Sequence, residues 1–349
     1  PVDRQQYKLC QTAEIRVADT MKLLSVLSFF TFYALTAYAF TNPLKSKDGS
    51  DPFMVYSNGY YYLTTTTWSN IQITRATSMA GLKTATPKVI WSDLTASRCC
   101  NVCRGTRNSL DHAANAWFVY YTAGPADASQ QGIHVLKSSS SDIWASTWSY
   151  AGRVAIPNKD VWSIDATILN HSTGSYLVYS AYDATVFQSD QCLYIAKLSS
   201  PTTVGNASKL SCPTNSWEKI VTGVNEGPAA LYHGGRTWVV YSASHCSGTG
   251  YSLGRLELTG SDPLSMSSWT KYNAGPIFQA ANGNYAVGHN GFFTAPSGNV
   301  YNVYHASPSS AVTCDGNRRT MVQAVDWNSD GTPNLGTPRP LSENIPEPA

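Results

Sequence analysis

The sequence predicts an all-β chain folded as a single-domain, five-bladed β-propeller. The first observation is a phrase that returns five times: Asn58-Gly-Tyr-Tyr-Tyr-Leu-Thr-Thr, Asn115-Ala-Trp-Phe-Val-Tyr-Tyr-Thr-Ala, Gly174-Ser-Tyr-Leu-Val-Tyr-Ser-Ala, Gly235-Arg-Thr-Trp-Val-Val-Tyr-Ser-Ala and Gly298-Asn-Val-Tyr-Asn-Val-Tyr-His-Ala. Anchored on Tyr60, Trp117, Tyr176, Trp238 and Tyr301, the copies step by 57, 59, 62 and 63 residues. A fixed period of this kind marks an array of equivalent units, and a sheet-only unit of that length suits a propeller blade. The second observation is local chemistry: a Gly or Asn turn followed by alternating aromatic and Val/Thr residues reads as the second strand of a hairpin. The third is that polar residues stand at matching places upstream of four anchors. Asp51 precedes Tyr60 by 9 residues, Asp165 precedes Tyr176 by 11, and Glu226 and His289 precede Trp238 and Tyr301 by 12 each. The first strand of each blade faces the central channel, so these four residues are expected to converge there. Buried acids are costly unless paired or used, which makes such a convergence a candidate site.

Before the first repeat, residues 1–20 show no helical or strand period, and Met21-Lys22 then opens an apolar run that ends in Ala37-Tyr38-Ala39. A basic start, an apolar middle and a small-x-small end describe a secretory signal peptide over 21–39. Residues 1–20 then read as a mis-annotated leader upstream of the true start, and the propeller domain as 40–349. A run this short, with several Ser and Thr, suits cleavage better than a membrane anchor. Blade 1 then begins at Gly49-Ser-Asp51-Pro52-Phe.

Blade 2 departs from the pattern. Residues 103–114 lack strand alternation and carry Arg104 and Arg107 where the period calls for an inner-strand residue, although Trp117 onward recovers the phrase. A frame slip or a misplaced intron boundary accounts for this stretch, and a disordered inner strand and an incomplete floor of the site are expected if it is genuine. Blades 3 to 5 are regular, with Ser163-Ile-Asp165-Ala, Asn225-Glu226-Gly-Pro and Gly288-His289-Asn ahead of their anchors.

Composition narrows the function classes. Charged residues are 13% of the chain, against about a quarter in an average globular protein. The net charge of +2 argues against nucleic acid or an anionic membrane as a partner. Eight cysteines and two sequons, Asn170-His-Ser and Asn206-Ala-Ser, fit a secreted, extracellular protein. Cys192 is expected to pair with Cys212, and Cys246 with Cys314 across neighbouring blades; Cys99, Cys100 and Cys103 have no evident framework, and no spacing resembles a zinc site.

Taken in order, Asp51-Pro52, Ser163-Ile-Asp165-Ala, Glu226-Gly-Pro, Gly288-His289-Asn and the closing Asp326-Trp-Asn-Ser-Asp-Gly-Thr-Pro resemble glycoside hydrolase family 43, from about Asn42 to Pro340. Within it the chain looks most like secreted fungal enzymes acting on arabinan. The resemblance implies an inverting hydrolase that releases L-arabinose from α-1,5-arabinan or from arabinose side chains. Such an enzyme needs one carboxylate to activate water and one carboxylic acid to protonate the leaving oxygen, roughly 6.5–9.5 Å apart. By resemblance Asp51 is the general base and Glu226 the general acid. Asp165 orients Glu226 and raises its pKa by like-charge proximity. His289 lies deeper, holding water or a mostly hydrated calcium ion, since imidazole suits a hard cation poorly. Arg319 is expected to complete the floor, and Trp68, Trp91 and Trp162 to stack on sugar rings. Each of these residues also has an ordinary structural reading: Asp51 as a turn residue before Pro52, Asp165 as a paired strand acid, the tryptophans as blade packing. The departure in blade 2, where the family carries Trp-Ala-Pro-Glu, puts activity in doubt. The expected partner is plant cell-wall polysaccharide, arabinan or arabinoxylan, met by a monomer; no cofactor beyond that calcium is expected. A β-xylosidase of the same family and a non-catalytic carbohydrate-binding propeller are the competing readings.

Overall fold

A computed structural model describes residues 39–98, 109–113, 115–184 and 188–348. The leader, all of the signal-peptide stretch but Ala39, and residues 103–108 of the anomalous stretch lie outside the described residues. Five antiparallel sheets follow one another in the chain, each a meander of neighbouring strands. Their inner strands are Phe53–Ser57, Ser109–Ala113, Ser163–His171, Asn225–His233 and Tyr285–Thr294, and each pairs with the strand that carries the repeated phrase. In blade 2, Ser109–Ala113 pairs with Ala116–Ala123 through all five residues; the place where the period puts the inner-strand residue, 105–107, lies outside the described residues.

Strand alternation explains why the phrases are apolar on both faces. In blade 3, Tyr176 and Val178 pack toward blade 4, whereas Leu177 and Tyr179 pack toward blade 2. In blade 4, Trp238 and Val240 face blade 5 while Val239 and Tyr241 face blade 3. The described apolar residues thus form five clusters, each between two adjacent blades. Burying one such side chain stabilises by about 1.5–3 kcal/mol, so every repeat depends on both of its neighbours.

The ring closes between blades 5 and 1. Blade 5 supplies three strands ending at Arg319–Ala324, and the N-terminal segment runs along its edge. Leu44 N–H donates to the Thr320 carbonyl at 2.8 Å, Thr320 N–H to the Lys45 carbonyl at 2.9 Å, and the Asn42 side chain exchanges two bonds with Val322 at 2.9 Å. Ala39–Phe40 pairs with Ile345–Pro346, and Phe40 and Ile345 enter the blade 5–blade 1 core. Among the described residues two disulfides form, both as expected: Cys192–Cys212 inside blade 3 and Cys246–Cys314 between loops of blades 4 and 5; Cys99, Cys100 and Cys103 lie outside the described residues. Asn170 and Asn206 of the sequons are exposed. No helix among the described residues is long and apolar enough to cross a membrane.

Candidate active site

The inner strands of blades 3, 4 and 5 share one irregularity, and it sets the site. In blade 3 the register shifts between Ile164 and Thr167, in blade 4 between Glu226 and Ala229, and in blade 5 between Gly288 and Gly291. At each shift a residue takes a left-handed backbone: Asp165 at φ 59°, Gly227 at φ 53°, His289 at φ 46°. Asp51, just ahead of the first blade's inner strand, has φ 52°. A bulge re-aims a side chain that regular pleating would send elsewhere, and non-glycine residues with positive φ cluster where function imposes them. Gly227 is the position where glycine is required. Besides its φ, a Cβ there would meet the His289 ring at 3.2 Å.

The backbone of each re-aimed residue is caught by the blade before it. Asp165 N–H donates to Thr122 Oγ1 at 3.3 Å, His289 N–H to Ser242 Oγ at 2.6 Å, and Asp51 N–H to His305 Nδ1 at 3.2 Å. Thr122, Ser242 and His305 all occupy the residue before the final Ala of the repeated phrase. That position was legible as a repeat feature, but its contribution to the site was missed.

Asp51, Asp165, Glu226 and His289 all line one cavity of about 680 Å3. Asp51 is buried, and four groups surround its carboxylate. Thr66 Oγ1 donates at 2.8 Å, Arg318 Nη1 lies at 3.2 Å, and His289 Nδ1 and His305 Nδ1 lie at 3.3 Å. Burial by itself would raise this carboxyl, but the Arg318 guanidinium first, and then His289, outweigh it and hold Asp51 well below the usual carboxylate range. His305 is pushed down to about 4 by burial and by Arg318, so it is neutral near pH 7.

Glu226 stands in the opposite condition. It keeps partial exposure to the cavity, accepts from Tyr251 Oη at 2.7 Å, and has Gln191 Nε2 at 3.5 Å. Withdrawal from water is the largest influence on it, Tyr251 opposes that, and the negative charge of Asp51 adds to it; the net result is a pKa raised to about 7. The strongest like charge on Glu226 is that of Asp51; the sequence reading named Asp165. Asp165 instead accepts the Gly227 N–H at 3.1 Å through Oδ2, which fixes the backbone beside Glu226, and its Oδ1 lies 3.7 Å from His289 Nε2.

Two other placements differ from the sequence reading. Arg318, not Arg319, reaches the cavity and Asp51; Arg319 opens a strand and pairs with Ala306. Trp68 and Trp162 line the cavity, and Trp162 stacks on Tyr182 at 4.2 Å. Trp91, in the strand Lys88–Trp91, packs instead against the core between blades 1 and 2. Tyr251, Gln191 and Arg318 were not singled out from sequence. Their common signal is position: each stands one residue before the third-strand partner of the phrase's final Ala, since Ala181, Ala243 and Ala306 pair with Cys192, Ser252 and Arg319.

Asp165, Glu226 and His289 bring ligand-type atoms within 4.8 Å of one another. Two carboxylates and an imidazole do not make a calcium cage, which takes six to eight oxygens. They suit at most a hydrated ion held through His289 and water.

Residues 40–333 match the profile of the glycosyl hydrolases family 43. Over 318 residues the chain is 34% identical to an extracellular exo-α-(1→5)-L-arabinofuranosidase of Streptomyces avermitilis, covering 87% of this chain and 65% of that protein. It is 32% identical over 305 residues to an α-L-arabinofuranosidase 43 of Humicola insolens, covering 83% of this chain and 62% of that one. The chain thus spans a little under two thirds of the length of these two relatives. Among solved structures, an α-L-arabinofuranosidase from Lactobacillus brevis superposes with a TM-score of 0.78 at 30% identity, covering 87% of this chain and 98% of its own. A propeller with carboxylates re-aimed onto its axis, matched over residues 40–333, belongs to the glycosyl hydrolases family 43.

Proposed function

We propose that the protein is a secreted, monomeric, inverting glycosidase that releases L-arabinose from α-1,5-arabinan or from the arabinose side chains of plant cell-wall polysaccharide. The observation that carries this reading is the divergence of two carboxylates on one cavity: Asp51 is held well below the usual range while Glu226 is raised to about 7. Acid and base roles go to pairs of groups whose surroundings push their pKa values apart. Glu226, protonated, delivers its proton to the leaving glycosidic oxygen as the bond to C1 breaks. Asp51, ionised, takes a proton from the water whose oxygen attacks C1 from the opposite face. Asp165 acts through the Gly227 N–H, keeping Glu226 aimed. Trp162, stacked on Tyr182 at the cavity wall, offers an aromatic face to a sugar ring. A calcium ion in the channel would be mostly hydrated and held by His289; no proton step is assigned to it. The two disulfides and the extracellular relatives support action outside the cell.

The test is incubation of the secreted protein with linear 1,5-arabinan, with Glu226→Ala beside it, while the products are followed by chromatography and proton NMR. Monomeric arabinose appearing first as the β-anomer, and lost in the variant, is expected. A first-formed α-anomer overturns the inverting assignment, a ladder of oligomers overturns exo action, and activity on β-xylosides alone overturns the substrate.

A further inference from the structure

One position recurs around the ring, and in blade 2 it has an unspent side chain. The phrase's final Ala pairs with the third strand at Gly132, Cys192, Ser252 and Arg319 in blades 2 to 5. The residue before each of these partners is Gln131, Gln191, Tyr251 and Arg318, and all but Tyr251 line the axial cavity. In three blades this residue serves a carboxylate. Gln191 Nε2 lies 3.5 Å from Glu226, Tyr251 donates to it at 2.7 Å, and Arg318 lies 3.2 Å from Asp51. Gln131 is 4% exposed, yet neither its amide nitrogen nor its amide oxygen has a hydrogen-bond partner among the described residues. Its sequence neighbour Gln130 differs: that amide is committed to Asp127 Oδ2 at 2.9 Å. A buried amide with both ends unsatisfied costs stability and calls for an explanation.

We propose that Gln131 is a specificity-determining residue that reads hydroxyls of the sugar unit being cleaved, its amide donating to one and accepting from another. This rests on the proposed glycosidase function and deepens it. The ring position puts Gln131 on the wall of the cavity that Asp51 and Glu226 also line, and the other three members of the ring have protein partners, so the fourth side chain is left for the substrate. An amide also matches the ligand. It carries no charge and offers both donor and acceptor to a neutral polyhydroxyl ring. The adjoining cavity, which shares Gln131, Trp162 and Tyr182, holds Arg153 and Asp160. Those two neutralise each other through bonds of 3.0 and 2.6 Å, so the described residues of this wall present no unpaired charge to a ligand.

The experiment compares wild type with Gln131→Leu and Gln131→Met on 4-nitrophenyl α-L-arabinofuranoside, on linear arabinotriose, and on the 2-, 3- and 5-deoxy forms of the aryl glycoside. Loss of one or two neutral hydrogen bonds lowers kcat/KM by about tenfold or more, equally on the aryl glycoside and the trisaccharide, because both present the same reacting unit. Wild type falls on the deoxy form that lacks the hydroxyl Gln131 reads, and the variants show no second fall on that form. Thermal melting of the variants stays at or above wild type, because two unsatisfied buried atoms have been removed. Undiminished activity overturns the assignment. So does a loss confined to the trisaccharide, which moves Gln131 to a neighbouring sugar unit, or a fall in Tm that parallels the fall in activity, which makes it a structural residue. Wild type inert on arabinofuranosides but active on 4-nitrophenyl β-D-xylopyranoside refutes the proposed substrate alone, and the Gln131 comparison then decides on that glycoside. Wild type inert on both overturns the two proposals together.

Discussion

Removing a single oxygen, in Tyr251→Phe, isolates what sets the protonation of Glu226. The Tyr251 hydroxyl donates to Glu226 at 2.7 Å and is the largest of the influences that lower that pKa, opposing the burial that raises it to about 7. Tyr251 is itself raised well above the usual tyrosine range, by burial first and then by the Glu226 charge, so it remains a donor throughout the working range. Phenylalanine keeps the ring stacked on His305 at 5.5 Å and against Gly288, where a Cβ would lie 2.5 Å from a Tyr251 ring carbon. The substitution therefore removes the hydrogen bond and leaves the packing. A hydrogen bond to a charged group is worth about 1.5–3 kcal/mol, and one pKa unit is about 1.36 kcal/mol. Glu226 should rise by roughly one to two units, toward the upper figure only if Gln191 at 3.5 Å does not close in. The sign follows from the roles. A general acid must be protonated, so activity is lost as pH climbs through its pKa, and raising that pKa carries the alkaline limb upward. The assay is kcat/KM against pH with 4-nitrophenyl α-L-arabinofuranoside. An alkaline limb that stays in place, or moves down, would refute the assignment of Glu226 as the acid.

Two further outcomes follow from the same geometry. Arg318→Met takes away the cation 3.2 Å from Asp51 and leaves burial less opposed. The base should then protonate at higher pH and the acid limb of the same profile should move up, whereas an unmoved limb would remove Asp51 from the base role. Lys271→Met breaks the buried pair with Glu218 at 2.7 Å, whose carboxylate also holds Asn225 at 2.9 Å beside Glu226. Glu218 keeps the Thr214 and Asn215 N–H groups, Asn225 and Tyr241 as donors, so the loss is that of one charge-assisted hydrogen bond, about 1.5–3 kcal/mol, read as a lower midpoint in urea; an unmoved midpoint would refute the pair's contribution.

The repeat, the blade count and the candidacy of Asp51, Asp165, Glu226 and His289 were legible because they depend on local rules. A hairpin turn followed by alternating aromatic and β-branched residues states its own structure, and five copies at steps of 57 to 63 residues state the architecture. The residue before the phrase's final Ala was legible in the same way, though its meaning was not. What tertiary structure decided is everything that turns on a single residue of register or on distance between blades. Arg318 and Arg319 are adjacent in sequence, but Arg319 opens the strand and pairs with Ala306, and Arg318, just ahead of it, is the one that meets Asp51. Trp91 and Trp162 look equivalent as aromatic platforms, yet one lies in an inter-blade core and the other on the cavity wall. The influence that raises Glu226 comes from burial and from Asp51, two blades away around the ring; sequence spacing carries no information about either. A side chain's class is written in the sequence. Its charge state at the axis follows from which groups surround it and how much water they exclude, and those are fixed only when the ring closes.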